Sequence, residues 1–367
     1  MKNTFGNALT VTLFGESHGA YIGATLDGLA PGMSVDADNV RRMLFLRAPR
    51  GNISTARHEA DEVQIVSGVV DGVTTGTPLT LLIQNGDTKS GDYAAMKTVM
   101  RPSHADYPAQ CKYHGFQDTR GGGHFSGRIT AALVAAGAIC HAALQKKGIL
   151  IGTHLSRCAG VEDRAFGDLE ADIETLAEKP FPALCDKAGE SMQQAIAAAG
   201  ADGDSVGGVL ETAVIGLPAG VGEPWFDTVE GVLAHILFSV PAVKGVEFGD
   251  GFALADKRGS EANDAMRYEN GVVTAKTNHG GGIGGGITSG MPLLFRCAVK
   301  PTPSIAKEQE TVDIEKKENT TLAVKGRHDP AVVHRARAVV DAVTAIALCD
   351  LLTVRFGTDF LADKGEA

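Results

Sequence analysis

Apolar and polar positions along the chain follow two periods, and each period predicts a different element. Strand-like stretches of apolar and β-branched residues bounded by turn residues are LTVTLFG, GATLDGL, EVQIVSGVV, TPLTLLIQNGD, GGVLETAVIGLP and MPLLFRCAVKP. Residues 129–147 and about 332–355 are apolar at helical spacing on more than one side, which predicts two long buried helices. A shorter helix is predicted over DADNVRRMLFLRA, with Asp36 as its N-cap, and surface helices over about 161–200.

Two segments of the chain repeat in the same order. GESHGAYIGATLDGLAPG (15–32) aligns without gaps on GDSVGGVLETAVIGLPAG (203–220), and GVTTGTPL (72–79) aligns on GITSGMPL (286–293). The repeat predicts a single α+β domain with two related halves, roughly 1–150 and 200–355, and a surface helical insertion at 161–200. The alternative is that such turns recur because the chain is rich in glycine.

Composition excludes several classes of protein. The 367 residues are 44% hydrophobic with a net charge of −10, which is typical of a globular protein and argues against a general binder of nucleic acid or membrane surface. The six cysteines form no C-x-x-C pair, and no cluster has metal-ligand spacing. The N-terminus has no apolar signal-peptide region, and the run at 129–144 is too short to span a bilayer. We expect a cytoplasmic protein with reduced thiols.

Two glycine-rich motifs resemble known signatures but fail on context. GESHG (15–19) matches the nucleophile elbow of serine hydrolases, which needs a following helix, whereas a strand-like stretch follows here. HGGGIGGG (279–286) contains a dinucleotide fingerprint, which must also lead into a helix, and a strand-like stretch follows again. In both cases we expect a turn that approaches a ligand closely.

Arginines and histidines in polar turns carry the candidate chemistry. RGGGHFSGR (120–128) places positive charge on both sides of three glycines and then leads into an apolar helix. Since guanidinium groups bind phosphate and carboxylate in pairs of hydrogen bonds, the arginines predict a small polyanionic ligand. His18 and His104 are either proton-transfer groups or structural histidines. Asp329, before the last long helix, is either a helix cap or catalytic.

Seven motifs in order resemble the chorismate synthase family: FGESHG, RPSHADY, RGGGHFSGR, VKGVEFGDGF, NHGGGIGGGITSG, KPTPSI and KGRHDP. The resemblance covers about residues 5–353. It implies a fold of helices sandwiched between antiparallel sheets, assembled as a homotetramer. It also implies 1,4-anti elimination of phosphate from 5-enolpyruvylshikimate-3-phosphate to give chorismate, the last shared step of aromatic amino-acid biosynthesis.

The resemblance implies flavin ligands, namely FMN in its reduced form and the related FAD, with NADPH as a possible reductant. The implied catalytic residues are His18, His104, Asp329, Ser17 and Ser126. The implied flavin contacts are His124, Phe125, Ser126, Pro241, Ala242, Gly285, Lys300, Pro301, Thr302, Pro303, Ser304 and Arg327. The arginines implied to meet substrate or NADPH are Arg47, Arg57, Arg101, Arg128 and Arg327.

The chain departs from the family pattern at the flavin contacts. Many members have Arg-Ser-Ser where this chain has His124-Phe125-Ser126, and Asn-Ala where it has Pro241-Ala242. Long insertions of self-reducing relatives are absent, which favours an external flavin reductase. The alternative function is a non-catalytic flavin- or phosphate-binding protein on the same scaffold.

Overall fold

The computed structural model describes residues 2–55, 61–86, 97–324 and 329–363. The elements of the first half are β1 (Thr4–Phe5), β2 (Thr10–Gly15), β3 (Tyr21–Asp27), α1 (Ala37–Arg47), β4 (Val63–Ser67), β5 (Val69–Val70), β6 (Val73–Thr74), β7 (Leu79–Gln84), α2 (Asp106–Tyr113) and α3 (Thr130–Lys146). The next elements along the chain are β8 (Leu150–Cys158), β9 (Val161–Glu162), α4 (Leu169–Glu178), α5 (Asp186–Ala201), β10 (Gly208–Ile215) and α6 (Val229–Leu237). The remainder are β11 (Val243–Phe248), α7 (Gly259–Ala262), β12 (Met266–Glu269), β13 (Val272–Ala275), β14 (Ile283–Gly284), β15 (Ile287–Thr288), β16 (Leu293–Val299), β17 (Gln309–Asp313), β18 (Glu318–Leu322) and α8 (Val333–Phe356).

Two five-stranded antiparallel sheets enclose the long helices. The first sheet has the order β1-β2-β3-β7-β4 and the second the order β9-β8-β10-β16-β11. Helix α3 packs on β2, β3 and β7, α8 packs on β8 and β10, and the two helices pack on each other. Their contact is close, since a Cβ at Gly137 would lie 2.5 Å from the Cβ of Ala342. The fold is therefore α+β, with helices between antiparallel sheets, as the sequence predicts.

Two neighbouring strands of each sheet correspond to the sequence repeat, β3 to β10 and β7 to β16. Thr74 and its aligned partner Thr288 are both buried, and each accepts a hydrogen bond through its side chain from a backbone N–H, of Met33 and of Val221 respectively. Each also donates to an aligned carbonyl, Ala30 O at 2.6 Å and Pro218 O at 2.7 Å. The pairs β3-β7 and β10-β16 and their turn bonds agree with the sequence alignment, and the duplication and the division into two halves stay our interpretation.

Most of the predicted elements form within one or two residues of their expected bounds. Asp36 caps α1 by accepting a hydrogen bond from the N–H of Asn39 at 2.9 Å, and the 161–200 region contains α4 and α5. Among the described residues one helical stretch, Gly127–Lys146, is long and apolar enough to cross a membrane, and 94% of it is buried inside the fold. The apolar faces of α3 and α8 are therefore used within a single subunit.

Candidate active site

A cavity of about 780 Å³ opens between the sheets, and several predicted site residues line it. Its size lies within the range of small-molecule sites, about 300–1,000 Å³. One wall is apolar, with Phe5, Leu13, Leu133 and Val339 among its side chains. The predicted residues on its surface are Arg47, His104, His124, Phe125, Pro241, Ala242, Lys300, Thr302, Pro303 and Ser304. The resemblance thus identifies residues from five separate segments that share one cavity.

The three glycines of RGGGHFSGR lie between the two candidate histidines. Gly121, Gly122 and Gly123 all have positive φ (59°, 91° and 54°), which glycine adopts without strain. A Cβ at Gly121 would lie 2.1 Å from Cε1 of His18, and one at Gly122 would lie 3.7 Å from Nε2 of His104. Glycine suits these positions because the loop packs on His18 and passes close to His104.

His18 is held behind this loop rather than on the cavity wall. It is buried, and its Nδ1 lies 3.1 Å from the hydroxyl of Ser17, which also lies 3.2 Å from the carbonyl of Arg120. The backbone N–H of Ser17 donates to Gly123 O at 3.1 Å. The turn after β2 leads into β3, so GESHG is a strand-to-strand turn and not a hydrolase elbow.

His104 lines the cavity and is bound from behind by an ion pair. Its Nδ1 lies 2.6 Å from Asp106 Oδ1, and Arg101 donates to the same carboxylate through Nε at 2.7 Å and Nη2 at 2.8 Å. Burial alone would raise the pKa of Asp106, but the bonds from Arg101 and His104 outweigh burial and hold this pKa well below its usual range. Arg101, predicted to meet substrate, is therefore buried against Asp106 and is absent from the described cavity wall.

Two further predicted arginines share one carboxylate that sequence reasoning missed. Arg47 donates to Asp61 at 3.1 Å, and Arg128 pairs with the other oxygen of Asp61. All three side chains are nearly buried, and Arg128 also donates to Asn85 Oδ1 at 3.0 Å. Only Arg47 of the two lines the cavity. No motif or spacing in the sequence pointed to Asp61, which precedes strand β4.

Asp329 does not cap the last helix, contrary to one of our two interpretations. Helix α8 begins at Val333 and its N-cap is Val332, whose side chain makes no capping hydrogen bond. Asp329 is instead buried beside Arg335, which lines the cavity, and Asp329 Oδ1 has no partner among the described residues. Burial raises the pKa of Asp329 despite the opposing effect of Arg335. Such a carboxyl can hold a proton closer to neutral pH than a surface aspartate.

The KPTPS segment follows β16 and contributes a cation and hydroxyls to the cavity. Lys300 donates from Nζ to Ser103 O at 2.8 Å, next to His104. Burial, and secondarily Lys244, lower the pKa of Lys300. The buried hydroxyl of Thr302 has no hydrogen-bond partner among the described residues. A buried polar atom without a partner on a cavity wall indicates a missing ligand or water.

The remaining predicted residues lie elsewhere. Gly285 is in the turn between β14 and β15, and the neighbouring Gly286 packs on the start of α6, away from the described cavity wall. Ser126 caps the short helix at Gly127–Ile129 by accepting from the N–H of Arg128, and Pro301 lies beside Gly207. Arg57 and Arg327 lie outside the described residues. No group of side chains with metal-ligand chemistry occurs within the described ranges.

Comparison with known proteins decides the family. The sequence profile described as Chorismate synthase matches residues 9–353. The chain belongs to the chorismate synthase family. Chorismate synthase of Thermococcus gammatolerans is 46% identical over 351 residues, which is 95% of this chain and 97% of that protein. That of Aeropyrum pernix is 44% identical over 355 residues, covering 96% and 93%.

A solved structure described as the crystal structure of chorismate synthase agrees with this fold. It superimposes with a TM-score of 0.77 at 28% identity, covering 98% of this chain and 95% of the other. The predicted family and α+β fold are therefore confirmed. Membership also identifies the chain as an enzyme of amino-acid biosynthesis that acts on a small molecule.

Proposed function

We propose that this chain eliminates phosphate from 5-enolpyruvylshikimate-3-phosphate to give chorismate, as a carbon–oxygen lyase. The observation that carries the proposal is that His104, Arg47 and Lys300 line the same cavity. The chain matches the family over residues 9–353. Nothing in the cavity favours the non-catalytic alternative, because a passive binder does not need a carboxylate-backed imidazole at its ligand.

The cavity fits a flavin such as reduced FMN. Its apolar wall suits a planar ring, and Thr302 and Arg335 each present a buried polar atom that lacks a partner among the described residues. Lys300, Thr302 and Ser304 would hold the phosphate end, and His124, Phe125, Pro241 and Ala242 would lie along the ring. When bound, reduced flavin would lend electron density to the substrate and recover it, so the reaction has no net redox change.

The chain's own residues supply charge and protons for the elimination. As the C3–O bond breaks, its electron pair goes to the phosphate oxygen, and cations nearby stabilise that charge. His104 is the proposed donor of a proton to this oxygen. Asp329, whose pKa is raised by burial, is the proposed residue that assists removal of the C6 proton, with Ser17, Ser126 and His18 in supporting proton-transfer roles.

Several finer assignments belong to the same proposal. We place the enzyme in the cytoplasm, as a homotetramer served by an external flavin reductase, with NADPH as the alternative direct reductant. Arg57, Arg327 and Gly285 remain proposed ligand contacts, the last of them from another face of the subunit than the described cavity. Exposed aromatic side chains such as Phe226 (97% exposed) support assembly, since large exposed apolar groups mark interaction sites.

The test is anaerobic incubation of the full-length protein with reduced FMN and 5-enolpyruvylshikimate-3-phosphate. We expect chorismate and phosphate in equal amounts, and about 10²–10⁴-fold slower turnover for His104→Ala, because removing a general acid costs about that factor. His114→Asn, at an exposed histidine, is the control. Absence of turnover in wild-type protein that binds FMN would favour the non-catalytic alternative.

A further inference from the structure

Behind His104 lie the side chains of Asp106 and Arg101, to which the proposed chemistry assigns no role in proton transfer. Asp106 Oδ1 is 2.6 Å from His104 Nδ1, and Arg101 holds Asp106 through two side-chain bonds and through its own backbone N–H at 3.1 Å. The carboxylate therefore has its position and its charge fixed from three sides. A residue fixed in this way can fix the histidine in turn.

The direction of the imidazole follows from this pairing. Because Nδ1 is turned to Asp106, the opposite ring nitrogen Nε2 faces the other way, toward Gly122 and the cavity that His104 lines. No bond to Nε2 occurs within the described part of the chain. A carboxylate on Nδ1 sets which nitrogen carries the proton in the neutral ring and stabilises the imidazolium.

We propose that Asp106 is a positioning residue for the elimination, held by Arg101, which keeps the Nδ1 proton of His104 and presents Nε2–H to the leaving phosphate. This inference rests on the proposed function. In the step, one proton moves from Nε2 to the phosphate oxygen that receives the C3–O electron pair, and the neutral ring keeps its Nδ1–H on Asp106. Arg101 then supports the acid by holding Asp106 in place.

The pH dependence gives the proposal a readout that a merely structural role would not move. Arg101 faces Asp106 from behind; besides Asp106, the ionisable groups that line the same two cavities as His104 are Lys2, Arg47, Lys97, Asp118, His124, His235, Lys244, Lys300 and Arg335. These are unchanged in Asp106→Asn, so any shift reports the lost carboxylate. Since the carboxylate stabilises the imidazolium and a general acid works when protonated, the alkaline limb of kcat should move to lower pH in Asp106→Asn.

The experiment compares wild type, Asp106→Asn, Asp106→Glu and a matched control, Asp163→Asn. Asp163 also bonds a histidine, His154 Nδ1 at 3.0 Å, but lies apart from the described cavity wall. We expect kcat of Asp106→Asn to fall about 10²-fold with KM changed less, partial recovery in Asp106→Glu, and a near-normal profile in Asp163→Asn.

A second measurement does not depend on turnover. The pH dependence of His104 modification by diethylpyrocarbonate, followed by mass spectrometry of its peptide, should show the same shift in the free protein. Inactive wild-type protein would contradict the proposed function, whereas the modification result would still test the pairing. Unshifted modification and an unshifted alkaline limb in folded Asp106→Asn, or an equal shift in Asp163→Asn, would overturn the inference.

Discussion

At the residue scale, the glycines of RGGGHFSGR show how backbone conformation positions the chemistry. Gly121 has a φ of 59° and leaves no room for a Cβ against His18. The left-handed conformation costs a residue with a side chain about 1–2 kcal/mol, and overpacking adds about 1–3 kcal/mol. We therefore expect Gly121→Ala to lower the free energy of unfolding by about 2–5 kcal/mol and to reduce turnover, measured by urea unfolding and by the chorismate assay.

Substitutions at two other glycines separate the cost of the left-handed conformation from the cost of overpacking. Gly72 also has positive φ (78°) but has open space around it, so Gly72→Ala should cost only the conformational part, about 1–2 kcal/mol. Gly127 has neither positive φ nor a nearby atom, and Gly127→Ala should leave unfolding nearly unchanged. Equal losses at Gly121 and Gly72 would show that contact with His18 contributes nothing.

At the element scale, a buried histidine joins strands β8 and β10 to the segment that leads into α5. His154 lies between Asp163 at 3.0 Å and Glu211 at 2.9 Å, and Asp163 also accepts from the N–H groups of Leu184 and Cys185. Burial by itself would lower the pKa of His154, but the bonds with the two carboxylates outweigh burial and raise it. The imidazolium is thus part of how the insertion is fixed to the second sheet.

The pH dependence of this contact has a defined sign. A raised folded-state pKa stabilises the protein fully below the unfolded value of about 6.5, and the stabilisation is lost as pH rises through the folded value. Breaking a buried pair costs about 3–5 kcal/mol. His154→Gln should therefore lose about that much in urea unfolding at pH 6 and less at pH 9, whereas His114→Asn should show no such difference. A loss independent of pH would mean that His154 is neutral in the fold.

Sequence patterns predicted elements well and the partners of charged residues poorly. Apolar spacing placed α3 and α8, and the aligned segments 72–79 and 286–293 both contain a buried threonine turn, because both signals are local or repeat along the chain. The partnership of Arg47 and Arg128 with Asp61 depends on tertiary packing between distant segments. The resemblance implies that Arg101 meets substrate, and that stays a prediction; its pairing with Asp106 depends on the local fold of RPSHADY, which the motif alone did not indicate.

At the scale of the whole molecule, the exposed aromatic groups bear on assembly. The long helices offer little surface for an interface, since α3 and α8 are buried between the sheets of one subunit except at the C-terminal end of α8. Large apolar side chains are exposed in the second half of the chain, with Phe226 at 97%, Phe252 at 85% and Tyr268 at 80%. Monomers rarely leave many such groups in water, so this region is the expected contact between copies of the chain.

Light scattering of the purified protein at micromolar concentration should give about four times the 38.1 kDa of one chain. Placing a charge in an apolar interface is costly because the charge loses its hydration on assembly. Phe226→Asp and Tyr268→Asp should therefore lower the measured mass, and turnover should fall with it if the subunits complete one another's sites. Phe116→Asp is the matched control, because Phe116 is 91% exposed but lies before the RGGGHFSGR loop, in the first half of the chain. A wild-type monomer would contradict the assembly itself, and an unchanged tetramer in both test variants would place its interface on another surface.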